Sequence, residues 1–235
     1  MKSAKEAYSS KSFGTAGDPV IFFFTAFKTK YWLYYPVIRN LTKAGYYVVV
    51  YDINADAILK GEPEDFLNLA DHIVLDVQSQ VENFKQAGVK KFSTFGVSMG
   101  TLFALRISVD IPDIKKVVAN LTYGSFADNV WSWKPASKLK RRLEGAGINK
   151  AALENLLTPI SPLSMAPKLK GKKLLLYLAK NDKVILFSQS SQFKEALDRA
   201  GINYIYHQNN KFGHLISGVI NNSRPKIYLD FLKDD

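Results

Sequence analysis

Hydrophobic residues fall into two alternating patterns along this chain. Short runs rich in β-branched and aromatic residues occur at 19–27 (PVIFFFTAF), 46–54 (YYVVVYDIN), 90–95 (KKFSTF), 115–121 (KKVVANL), 172–179 (KKLLLYLA) and 202–208 (INYIYHQ). Such runs predict strands, the most apolar of them covered on both faces. Between them the period changes. In 64–88, Phe66, Leu69, Ile73, Val77, Val81 and Phe84 recur at steps of three and four, behind an acidic start and ahead of Gly88, which predicts a helix. Residues 31–45, 99–109, 186–201 and 214–235 predict further helices, with Pro36 restricting the first turn of one and Pro225 interrupting the last.

Strands separated by helices over most of the chain imply an α/β fold, a parallel sheet with helices on both faces. No internal repeat or low-complexity linker divides it, so one domain over 1–235 is expected. One stretch breaks the alternation. Residues 122–168 hold helical pieces but no strand, and an insertion of that length between two sheet strands is expected to form a lid or cap.

Composition narrows the function classes. The 235 residues are 47% hydrophobic and 13% aromatic, enough for a substantial core. No apolar run reaches the roughly 18 residues of a transmembrane helix, and the N-terminus lacks a signal-peptide pattern, so a cytoplasmic protein is expected. Cysteine is absent, which excludes disulfide scaffolds, thiol catalysis and cysteine zinc sites. The three histidines, His72, His207 and His214, show no metal-ligand spacing, and no metal is expected. The net charge of +11 suits anionic partners. The basic residues are nevertheless spread along the chain without a nucleic-acid-binding signature, and a solvated basic surface is the favoured explanation. Their densest run, WSWKPASKLKRRLEG at 131–145, lies in the insertion; there a weak association with anionic surfaces is the functional expectation.

The candidate chemistry starts at FGVSMG, residues 95–100. Gly96, Ser98 and Gly100 form G-x-S-x-G where a predicted strand meets a predicted helix, the setting of a nucleophile elbow. A serine nucleophile needs a base and an acid that orients the base, here in the order Ser, Asp or Glu, His. His214 follows the last predicted strand and is the base candidate, since histidine suits proton transfer near neutral pH. His207 sits within that strand, and His72 on the polar side of a helix. Asp182 directly follows the strand at 172–179, which places it at the same sheet edge as Ser98; Asp128, several residues past another strand, is the competitor.

With GVSMG, NDKVI after a buried strand and FGH near the end, the chain resembles an α/β-hydrolase-fold serine hydrolase from residue 19 to its C-terminal helix. The phrase SPLSMAPKLKGKKLLLYLAKND is similar to the segment before the acid in esterases and monoacylglycerol-lipase-like members. The resemblance implies Ser98 as nucleophile, Asp182 as acid and His214 as base, with no cofactor. It implies an oxyanion hole from the backbone N–H groups of Met99 and Phe27, although Thr25-Ala26 stands where the family often has His-Gly. The short N-terminus leaves little room for leading antiparallel strands, so a sheet of about six strands is expected. The implied reaction is hydrolysis of a small-molecule carboxylic ester through an acyl-enzyme. Another reaction on the same fold (a C–C hydrolase, lyase or cofactor-free peroxidase) or an unused triad in a binding protein remains open at this stage. Aromatic clusters at 27–36 and 129–135 offer Tyr31 and Trp131 as candidate substrate-binding residues, favouring an apolar or lipid-like acyl group. Ordinary core packing explains such clusters too.

Overall fold

The structure, a computed structural model, describes residues 7–17, 19–54 and 60–234. Seven strands form a single sheet: β1 (Tyr8–Phe13), β2 (Val20–Phe24), β3 (Tyr47–Ile53), β4 (Phe92–Val97), β5 (Ile114–Asn120), β6 (Lys173–Ala179) and β7 (Tyr204–Asn209), in the order β1-β3-β2-β4-β5-β6-β7. All neighbours are parallel except β1, which pairs antiparallel with β3 from Tyr8 opposite Ile53 to Phe13 opposite Val48. The sheet therefore has one more strand than the sequence predicts. Four of the six residues of β1, YSSKSF, are exposed; it joins the edge through backbone pairing, with a lysine facing out as edge strands commonly have.

Between the strands lie α1 (Tyr35–Lys43), α2 (Pro63–Gln86), α3 (Gly100–Asp110) and α8 (Phe187–Arg199), followed after β7 by α9 (His214–Asn222) and α10 (Pro225–Lys233). Pro63 opens α2 at the position where a missing N–H costs nothing, the Glu62 N–H donates to Asp65 Oδ2 at 2.9 Å, and Gly88 (φ +92°) follows its end. Pro225 divides the expected closing helix in two. Between β5 and β6 run α4 (Phe126–Ser132), α5 (Ser137–Gly145), α6 (Lys150–Leu156) and the short α7 (Pro162–Met165), with no strand among them.

The continuous apolar run of β2 is buried throughout because each alternate residue meets a different helical layer. Phe22 and Phe24 pack with Phe66 and Leu69 of α2 and Phe103 of α3, whereas Ile21 and Phe23 pack with Val37 and Leu41 of α1 and Tyr228 and Phe231 of α10. Each such side chain contributes about 1.5–3 kcal/mol on burial. The two cores fix the sheet, and with it the ends of β4 and β6. The parallel arrangement brings the C-terminal ends of β2, β4, β5 and β6 to one edge, where an open α/β sheet presents its site.

Candidate active site

Ser98 follows β4 directly and has φ +52°, a left-handed backbone that is costly for a residue with a side chain. Its N–H donates to Asn120 O at 2.8 Å, and its own carbonyl accepts from Thr101 N at 2.9 Å and Thr101 Oγ1 at 2.6 Å. Thr101 Oγ1 is also 3.0 Å from Thr122 Oγ1. These bonds hold the turn. The flanking glycines are required by close approach: a Cβ on Gly96 would lie 2.6 Å from Gly100 O and Thr101 Cα, and one on Gly100 would strike the Phe24 carbonyl oxygen and lie 2.7 Å from Thr25 O. The junction is thus a strained strand-to-helix elbow, with Ser98 at its apex at the N-terminus of α3.

His214 is the first residue of α9, and its Nε2 lies 2.9 Å from Ser98 Oγ. Its Nδ1 lies 2.6 Å from Asp182 Oδ2. Asp182 Oδ1 accepts from the N–H groups of Val184 and Ile185, each at 2.8 Å, an arrangement typical of Asp in a turn. With these side chains only 9% (His214) and 3% (Asp182) exposed, the pair is shielded from water. When Nδ1–H donates to Asp182, Nε2 is free to accept the Ser98 proton, the tautomer that general-base catalysis requires.

The other ionisable candidates lie apart. Asp128 pairs with Lys150 within the helical insertion. His207 stacks on Tyr177 at 5.8 Å in the sheet, and His72 is exposed on α2. Among the described residues no group of three or more His, Asp or Glu is placed to hold a metal ion.

Phe27 and Met99 line the same cavity as Ser98. Among the described residues their backbone N–H groups donate to no other protein group. The loop carrying Phe27 is braced by Thr29, whose N–H and Oγ1 reach Ala26 O at 3.1 and 2.7 Å, and by Tyr34, whose hydroxyl accepts from Ala26 N at 3.1 Å. Lys28 has φ +59°, so this loop is a second tightly held turn facing the elbow. Tyr34 carries no local sequence signal for this role, because it stands eight residues from Ala26.

The cavity has a volume of about 60 Å³ and is closed largely by the insertion, through Tyr123, Phe126, Val130, Trp133 and Leu139. Asn129 also lines it, and donates from Nδ2 to Val184 O at 2.6 Å, which ties the insertion to the Asp182 loop. Neither expected aromatic is in the lining. Tyr31 packs on Phe13 of β1 and on Tyr35 at 5.9 and 5.8 Å, and its hydroxyl accepts from Lys11 Nζ at 3.2 Å. Trp131 packs against the core with the Lys140 ammonium 5.9 Å from its ring centre; Trp133 is the tryptophan that reaches the cavity. In the basic stretch, Lys140 also pairs with Glu144 at 3.7 Å, and Arg142 donates to Gly61 O. Two of its charges therefore serve internal contacts. Tyr123 is buried with its hydroxyl unpartnered among the described residues, and burial holds its phenol well above the ordinary value.

A parallel sheet flanked by helices, with a serine on such an elbow, defines an α/β-hydrolase-fold serine hydrolase. The model of the prolyl oligopeptidase family matches residues 36–234, and the chain belongs to that family. Solved structures agree on the fold. An acylaminoacyl peptidase of Pyrococcus horikoshii is similar at 16% identity with a TM-score of 0.70, over 97% of this chain and 42% of that one. An esterase of Pyrococcus furiosus is similar at 21% identity and TM-score 0.65, over 96% and 91%. Acetyl xylan esterase 1 of a Thermoanaerobacterium species is similar at 17% identity and TM-score 0.68, over 96% and 79%. The chain spans about two fifths of the length of the acylaminoacyl peptidase. A comparison with curated proteins finds no match. Among the described residues no helix is long and apolar enough to cross a membrane.

Proposed function

We propose that the chain hydrolyses carboxylic esters carrying a short apolar acyl group, with Ser98 as nucleophile, His214 as general base and acid, and Asp182 as the orienting carboxylate. The observation that carries this reading is the unbroken hydrogen-bonded chain from Ser98 Oγ through His214 to Asp182, at 2.9 and 2.6 Å, opening on an apolar cavity. Ser98 Oγ attacks the ester carbonyl as its proton passes to His214 Nε2. The carbonyl oxygen gains the negative charge and takes up the N–H groups of Met99 and Phe27 as its hydrogen-bond donors. His214 then gives the proton to the departing alkoxide, and the acyl group stays on Ser98. Water repeats the sequence with the same base and releases the acid.

The cavity volume supports the acyl preference. At about 60 Å³ the cavity is small, which fits an acyl chain of a few carbons. Longer chains require the insertion to move, and in this reading it acts as the cap over Ser98. Family membership favours a second reading, cleavage of a peptide or acylamino bond by the same residues. Rates on p-nitrophenyl acetate, butyrate and octanoate, set beside N-acylaminoacyl and prolyl anilides, test both. Acetate and butyrate are expected to exceed octanoate and both anilides in kcat/KM by at least about tenfold, equivalent to about 1.4 kcal/mol of transition-state binding. Anilides cleaved with the higher kcat/KM would replace the esterase reading with the peptidase one.

A further inference from the structure

The three neighbouring strands β4, β5 and β6 are each entered through a Lys–Lys pair: Lys90–Lys91, Lys115–Lys116 and Lys172–Lys173. Because these strands are parallel and adjacent, the pairs meet at one edge of the sheet, opposite the edge that carries Ser98 and Asp182. Lys116 is in register with Ser93 on one side and Lys173 on the other, and adjacent strands lie about 4.8 Å apart. Like charges so placed repel one another. Lys90, Lys91, Lys115, Lys116, Lys173 and Lys233 line one groove of about 640 Å³, whose lining includes Tyr46, Phe92 and Leu232 and, among the described residues, no Asp or Glu.

Some of the charge is bound to the fold. Lys116 donates to Leu232 O at 2.9 Å and to Asp234 O. Lys172, beside the groove, donates to the carbonyls of Ile111, Pro112 and Ile114; burial, with the Lys115 charge, lowers its pKa, against a smaller opposing effect of Asp113. Asp113 itself pairs with Lys85 at 3.3 Å. Lys91, Lys116 and Lys173 each have further partners, so the other exposed lysines carry the available charge. Lys90, Lys115 and Lys233 are exposed and, among the described residues, form no ion pair.

We propose that this groove binds a small, multiply charged, phosphate-bearing anion. Lysine ammonium groups are compact point charges that satisfy phosphate oxygens from several directions, and the volume lies in the range of small-molecule sites, roughly 300–1,000 Å³. The same phosphate chemistry could arrive free or on a lipid headgroup. The charges converge on a recess rather than project from a flat face, which favours the soluble form.

Inorganic tripolyphosphate is the probe, read by thermal unfolding of the full chain. Near 100-fold saturation the melting temperature is expected to rise by about 5 °C. The rise is expected to shrink between about 0.05 and about 0.3 M salt as the charges are screened. The combined variant Lys90→Gln, Lys115→Gln, Lys233→Gln removes exposed charges far from Ser98. It is expected to fold, to keep its ester turnover and to lose the response. No rise in the unmodified protein, or an equal rise in the variant, overturns the proposal. Co-sedimentation with phosphatidylserine vesicles without a response to tripolyphosphate also overturns it, in favour of a membrane surface.

Discussion

Asp182 and His214 are joined at 2.6 Å while the second oxygen of Asp182 accepts two backbone N–H groups. The carboxylate is therefore fixed from both sides, and the imidazole inherits its orientation. In Asp182→Asn the amide oxygen can keep the two N–H groups, which turns the NH₂ towards His214 Nδ1 and favours the wrong tautomer. Ester turnover is expected to fall by roughly 10²- to 10⁴-fold with little change in melting temperature. Asp128→Asn, which removes the partner of Lys150, is expected to leave turnover within a few-fold. Comparing kcat of the two variants checks this; the reverse ranking would assign the acid to Asp128.

The elbow is intolerant of a methyl group. Gly100→Ala would press its Cβ into the carbonyls of Phe24 and Thr25, and neither strand β2 nor helix α3 has room to retreat. A loss of about 3 kcal/mol of stability is expected, together with loss of turnover. Urea unfolding checks the first and an ester assay the second. Gly145→Ala is the control, because its Cβ would meet nothing within 4 Å.

The unpartnered Tyr123 hydroxyl is a cost the fold carries beside the cavity. Tyr123→Phe removes it while keeping the ring, so stability is expected to rise by about 1 kcal/mol, a few degrees in calorimetry. Unchanged or lower stability would mean that the hydroxyl has found a partner.

Asp52, at the end of β3, has one oxygen without a partner among the described residues, and burial raises its pKa, opposed by Lys30 and by hydrogen bonds from Tyr31 and Thr25. A carboxyl raised in the folded state binds its proton more tightly there than when unfolded. It therefore favours folding most below the ordinary carboxylate range, and that contribution is lost as pH rises through the raised value. Asp52→Asn is expected to gain stability relative to the unmodified chain as pH rises from about 3 to about 7. Urea midpoints at a series of pH values check the sign, and a variant that loses stability relative to the unmodified chain as pH rises would contradict it.

The parts of the fold that the sequence makes legible are those where burial leaves a hydrophobic pattern. β2 to β6 read as strands because helices cover both faces, and once they are placed, Ser98 and Asp182 must share an edge. β1 carries no such pattern. Its exposed YSSKSF is held by backbone pairing, and missing it also hides the true setting of Tyr31, which packs on Phe13. The cavity lining depends on how short helices rotate. Trp131 and Trp133 are two residues apart near the end of α4, so they point to different sides, and only packing decides which faces Ser98.

The most direct measurement is labelling by a fluorophosphonate probe, read by intact mass and peptide mapping. One adduct per chain, on Ser98, is predicted for the unmodified protein, and none for folded Ser98→Ala with its ester turnover abolished. A folded Ser98→Ala that labels as before, or an unmodified chain that neither labels nor hydrolyses esters, would contradict Ser98 as the nucleophile.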